Sequence, residues 1–150
     1  MKKIILAVLV CVAVYGFIQS PLFVTVKSTF QTDKVVEQSN SDRVLEHAFK
    51  RQLSDIQVGG SGKVIKLLRD DTQGSRHQKF IVKLASGQTI LIAHNIDLAP
   101  RIHSLSVGDP VNFYGEYEWN VRGGVVHWTH HDPGGRHEGG WINHGGTLYE

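Results

Sequence analysis

Pro110–Trp119 (PVNFYGEYEW) alternates cleanly: Val111, Phe113, Gly115, Tyr117 and Trp119 fall on one side, Asn112, Tyr114, Glu116 and Glu118 on the other. A period of two is what a strand shows when one face meets a core and the other meets water. Asn120–Gly124 (NVRGG) follows as a hairpin turn, and Val125–His131 returns as the next strand. Towards the N-terminus, Leu105, Val107, Gly108 and Asp109 lead into this hairpin out of Asn95–Gly108, which has no strand periodicity. Before it lie three more period-two runs bounded by turn residues: Lys63–Arg69 (KVIKLLR), Gln78–Leu84 (QKFIVKL) and Gln88–His94 (QTILIAH). Five short strands, with a non-strand connection between the third and fourth, predict a mainly β fold: a small five-stranded Greek-key barrel of the OB type. Its core would join Val111, Phe113, Tyr117 and Trp119 to Phe80, Val82, Ile90 and Ile92. A flat sheet packed on a helix is the alternative.

That helix is expected from a cap at Ser41 and Asp42 to about Ser54, with Val44, Leu45, Ala48 and Leu53 on one broad face. Lys27–Asn40 (KSTFQTDKVVEQSN) is polar and aperiodic and reads as a linker. Met1-Lys2-Lys3 and the uncharged run Ile4–Ile18 have the makeup of a secretory signal or an uncleaved N-terminal anchor. No clean cleavage site ends the run, and both forms stay open. The chain thus divides into a signal or anchor over 1–25, a linker over 26–40 and one domain over 41–150. Its expected place is outside the cytoplasm, periplasmic or secreted, meeting the membrane only through an uncleaved N-terminus.

At 150 residues the chain is about one domain's worth, and 41% hydrophobic with 20% charged residues exclude a disordered chain or a polytopic membrane protein. The formal charge of +2 is accounted for by Lys2 and Lys3, so the body is neutral. Neutrality speaks against duplex nucleic acid held by bulk phosphate attraction, although residues 58–110 taken alone are basic. Cys11, the one cysteine, lies in the apolar run. The domain therefore has neither a disulfide nor a thiolate metal ligand.

Three polar clusters could carry chemistry. Asp70–His77 forms the loop between the first two strands, and there Arg76 and His77 stand at a strand start; Asp70 and Asp71 read as a solvated turn. His94, Asn95 and Asp97 end the third strand. His94 continues the inward face of Ile90 and Ile92, and Asn95 and Asp97 are natural caps for the segment that follows. The third cluster is the densest, with five of the nine histidines between His127 and His144. His130, His131 and Asp132 meet at the end of a strand, and His137 and His144 follow in a glycine-rich segment that can fold back. A histidine and carboxylate set without cysteine suits one divalent ion, zinc or manganese. The spacing matches no standard metal signature. Gly59-Gly60-Ser61-Gly62 lacks the lysine and threonine of a phosphate loop.

The strings GSRHQKFIV, LIAHNIDLAPRI, FYGEYEWN and GGVVHWTHHDP-x-GRH-x-x-GWI-x-H-x-G resemble a family of small exported bacterial proteins known as domain of unknown function 3465, over about Ile56 to Glu150. The resemblance implies a small exported domain and draws attention to His77, His94, Asn95, Asp97, His127, His130, His131, Asp132, Arg136, His137 and His144. It implies no activity.

The leading expectation is a metal-assisted hydrolase acting on a phosphodiester or a similar anionic substrate. His130, His131, Asp132, His137 and His144 would be the ligands, Arg76 and Arg136 would hold the anion, and His77 or His127 would act as general base. The alternative is a binding module for an oligonucleotide, a saccharide or a peptide. Trp128, Trp119 and Tyr114 would then serve as stacking surfaces, with His94, Asn95 and Asp97 at the ligand. A structural or metal-buffering domain is a third reading.

Overall fold

The computed structural model describes residues 37–150. The apolar segment at 1–25 and the linker up to residue 36 lie outside the described residues. Residues 37–51 form helix α1, so the helix is already under way before Ser41 and Asp42, which sit inside it. No glycine or proline falls within residues 37–51. Asp42 instead accepts a hydrogen bond from the Ser86 backbone N–H at 2.7 Å. The helix ends where Gln52 turns left-handed (φ 54°) and Leu53 N–H reaches back to the Ala48 carbonyl at 3.0 Å, which closes its last turn. Among the described residues, no helix is long and apolar enough to cross a membrane.

Seven strands follow: β1 (Ile56–Leu67), β2 (His77–Lys83), β3 (Thr89–Asn95), β4 (Pro110–Glu118), β5 (Val125–His127), β6 (Trp141–His144) and β7 (Thr147–Tyr149). The first five close a barrel. β1 pairs antiparallel with β4 through its first half and with β2 through its second. β2 pairs with β3, β3 runs parallel to β5, and β5 pairs with β4. The order β1-β2-β3-β5-β4 and back to β1 is that of an OB-type barrel.

β1 is longer than Lys63–Arg69 because Gly59-Gly60-Ser61-Gly62 belongs to it. A glycine run reads as loop, yet here it is what lets one strand serve two neighbours. A Cβ at Gly60 would overlap the Phe113 ring, and one at Gly62 would overlap Val82 and the Lys83 carbonyl. The strand can bend across the barrel only where side chains are missing.

Phe80, Val82, Ile90, Ile92, Val111, Phe113 and Tyr117 fill the core as expected, joined by Val58, Val64, Val126 and Ile142. Trp119 packs against this core, and its indole N–H donates to the Phe49 carbonyl of α1 at 3.1 Å. Leu45 and Ala48 face the core, whereas Val44 and Leu53 stay exposed. Ile102, from the connection between β3 and β4, is buried in the same core, held by a reciprocal pair of bonds between its backbone and the Gln78 amide.

β5 is shorter than Val125–His131 and stops at His127. Trp128 takes a left-handed conformation (φ 51°), and the chain leaves the sheet there. It returns as β6, which occupies the β4 edge that β5 has vacated: β5 pairs with Glu116–Glu118, and β6 with Val111–Tyr114. Gly115 stands at the changeover, where a Cβ would overlap the His127 carbonyl oxygen. Loop 128–140 is the excursion between the two.

Candidate functional site

Alternation on the barrel sorts polar from apolar. Inward residues of β4 and β5 fill the core, so Glu116, Glu118 and His127 face outward by default. The β4–β5 hairpin sets their register: Glu116 lies opposite His127, and Glu118 opposite Val125. Nε2 of His127 is 3.2 Å from Oε1 of Glu116 and 4.0 Å from Oε1 of Glu118. Among the described residues this is the one group whose three potential ligand atoms all lie within 4.8 Å of one another.

Loop 128–140 brings a fourth member. His137 Nε2 sits 2.7 Å from Oε2 of Glu116, so a single carboxylate lies between two imidazoles. The His137 ring stacks on Trp128, with centroids 4.0 Å apart and planes within 8°. Its Nδ1 is 2.7 Å from the Glu138 carbonyl, which can only accept, so Nδ1 carries a hydrogen and Nε2 is the atom turned to the site. A backbone carbonyl on the far nitrogen is how metal-binding histidines are commonly oriented. Tyr114 ties down the same stretch by donating to Glu138 at 2.6 Å.

The two imidazoles feel opposite forces. The hydrogen bond to Glu116 raises the pKa of His137. Burial lowers that of His127, outweighing the attraction of Glu116 and Glu118. His127 Nε2 is shielded from solvent and lies off the hydrogen-bonding direction of its neighbours. The Nε2 of Gln57, which pairs with Glu116 across β1 and β4, is likewise buried without a partner. Buried polar atoms without partners are uncommon and mark places where a ligand, ion or water completes the structure.

The residues expected to bind metal do not converge. Asp132 is spent on its own loop: its carboxylate accepts from the backbone N–H groups of Gly134, Arg136 and His137 at 2.8–3.0 Å. Those three bonds hold its pKa down at about 2. Its work is to shape the loop that delivers His137. His130 is buried, with Nδ1 donating to the His131 carbonyl at 2.8 Å, and His131 is exposed. His144 pairs with Asp109 at 2.8 Å, at the opposite end of β4. It lies opposite Val111, five residues and ~17 Å along the strand from Glu116. Of that set only His137 joins the cluster. Arg136 is exposed on the same loop.

His94, placed at a ligand surface by expectation, is in the core. Its Nε2 donates to the Pro100 carbonyl at 3.2 Å, and its Nδ1 therefore accepts from the Thr129 hydroxyl at 2.9 Å. Both nitrogens are used, and burial lowers its pKa to about 4. Asn95 and Asp97 build a turn: Asn95 Oδ1 accepts from Asp97 N–H, while Asp97 takes both the side chain (2.6 Å) and the backbone N–H (2.7 Å) of Arg76. Arg76 is thereby committed to a structural pair. His77 remains half-exposed at the start of β2, close enough to act electrostatically on His127. The expected stacking surfaces are also engaged: Trp128 by His137, Trp119 by α1 and Tyr114 by Trp141, 6.2 Å away.

Glu116 and Glu118 were missed because they sit at outward positions of a strand read for its core. Counting back from the NVRGG turn pairs Glu116 with His127, and that count was the signal available. No curated protein matches the chain. The family model described as "Protein of unknown function (DUF3465)" matches residues 24–150, and the chain belongs to that family.

Proposed function

We propose that this domain is an exported, metal-assisted hydrolase of an anionic ester such as a phosphodiester. One observation carries the reading: Glu116, Glu118 and His127 each offer a ligand atom, and the three lie within 4.8 Å of one another. Two carboxylate oxygens and an imidazole nitrogen suit zinc or manganese, and His137, beside Glu116, is a ready fourth donor. An ion there would lower the pKa of a bound water towards ~7 and supply the nucleophile. His77, at the start of β2, and Arg136, on the loop that carries His137, would meet the substrate anion.

Protein purified without a histidine tag should carry close to one zinc or manganese per chain. Glu116→Gln should lose the metal and the hydrolysis of a chromogenic phosphodiester together. EDTA should lower the melting temperature of the native protein and leave that of Glu116→Gln in place, because an ion bound only by the folded state stabilises it. Native protein that takes up no zinc on dialysis, and melts identically with and without EDTA, rules the site out. Export rests on the lysine-led apolar run at 4–18. Cell fractionation should recover the chain outside the cytoplasm, and an intact chain in the cytosol ends that part of the proposal.

A further inference from the structure

Strand alternation puts Phe80, Val82, Ile90 and Ile92 inside the barrel and therefore Ile81 and Leu91 outside, directly opposite each other across β2 and β3. Outward positions on a small barrel are ordinarily polar. Here Ile81 and Leu91, with Leu68, form the floor of a groove of about 410 Å³ whose wall is the β4–β5 hairpin turn, including Val121 and Arg122. That volume is in the range of small-molecule sites. The turn is fixed over β3: a Cβ on Gly123 would overlap the Thr89 carbonyl oxygen, and the Gln88 amide donates to the Gly123 carbonyl at 3.2 Å. The groove is thus built by the fold.

Its surroundings are cationic. Lys63 lies directly opposite Lys83 on β1 and β2, both exposed, an arrangement that costs stability when nothing neutralises it. Lys66 pairs across with Ile81 itself, and Arg122 stands on the wall. Among the described residues none of these four cations has an ion-pair partner. The nearby carboxylates are already taken, Asp70 by Arg101 and Asp71 by Lys79.

We infer that this groove binds the alkyl chain of a single-chain anionic amphiphile, with Arg122, Lys66 and the Lys63–Lys83 pair around its head group. The apolar floor selects an aliphatic chain, and the unpaired rim selects the negative charge. A single-stranded nucleic acid fits less well, since the groove has no aromatic side chain on which a base could stack. The site goes beyond the hydrolase reading and stands without it. It shares the outer face with the Glu116–His127 cluster, because Leu91 pairs with Val125 and Val125 with Glu118.

The test is titration of the full chain with hexyl, octyl, decyl and dodecyl phosphate, each below its aggregation concentration. Affinity should rise about threefold to fourfold per methylene, as expected for burial of a chain. Leu91→Gln should weaken dodecyl phosphate binding at least tenfold, and Arg122→Ala, in an exposed turn, about threefold. Inorganic phosphate should compete weakly. Affinity independent of chain length, or unchanged in both variants, overturns the inference, and so does a twelve-residue oligothymidylate that displaces dodecyl phosphate with the same sensitivity to both variants. The chain-length dependence should persist in EDTA. Loss of amphiphile binding by protein that still takes up zinc would sink this inference alone, and amphiphile binding by native protein that takes up no zinc on dialysis would sink the hydrolase reading alone.

Discussion

His94 and His127 stand on neighbouring strands, one turned into the barrel and one out of it. His94 spends both nitrogens on Thr129 and Pro100, which makes it a pH-sensitive part of the core. Its pKa is about 4 in the folded protein against about 6.5 in an unfolded chain. Between those values the unfolded chain takes up a proton that the folded protein refuses, so stability falls as pH drops through this window, by about 3 kcal/mol in full. His127, also lowered, adds in the same direction. His137, whose pKa is raised, works in the opposite one, its contribution being present at low pH and lost as pH rises. The decisive comparison is therefore between the native protein and His94→Gln. Urea midpoints at pH 7.5 and pH 4.5 should diverge strongly for the native protein and much less for the variant. Equal divergence in both would mean that His94 is protonated in the folded state.

Loop 128–140 is the element that turns a barrel edge into a site. It leaves at Trp128 and returns at Gly140, where a Cβ would overlap the carbonyl oxygens of Trp128 and Tyr114. In between, three backbone N–H groups converge on Asp132 and set the direction in which His137 leaves. Asp132→Ala strips those donors of their acceptor and should cost roughly 1–2 kcal/mol, as a lost cap does. Most of that loss should be local, because the loop lies outside the core. Hydrogen exchange should then accelerate in residues 128–140 while β1–β4 stay protected. Uniform acceleration over the whole barrel would assign Asp132 a global role, and no acceleration would assign it none.

At the scale of the whole molecule, closure depends on β1 bending between β4 and β2, and Phe113 fills the space that Gly60 leaves open. Phe113 is 1% exposed. Phe113→Ala should destabilise by roughly 3–5 kcal/mol, a large share of a small domain's stability. Chemical denaturation measures this directly, and a loss below about 1 kcal/mol, the range of surface changes, would place the residue outside the core.

All five barrel strands, their inward faces and the hairpin at Asn120–Gly124 are legible in the sequence, β1 in its second half only, because alternation and turn chemistry are properties of adjacent residues. The first half of β1 with Gly59–Gly62, the early end of β5 and the β6–β7 hairpin are not. Glycine carries no periodic signal, and where β5 stops depends on which segment occupies the β4 edge. The same division runs through the site. Sequence alone picked out His127 and His137 as chemically able residues, but it grouped histidines by nearness along the chain. Only the tertiary structure decided that Asp132 would be consumed by backbone N–H groups, that His94 would be sealed in the core and that His144 would lie at the far end of β4. It alone set Glu116 between His127 and His137, because convergence on a point depends on pairing between strands and on the path of a loop.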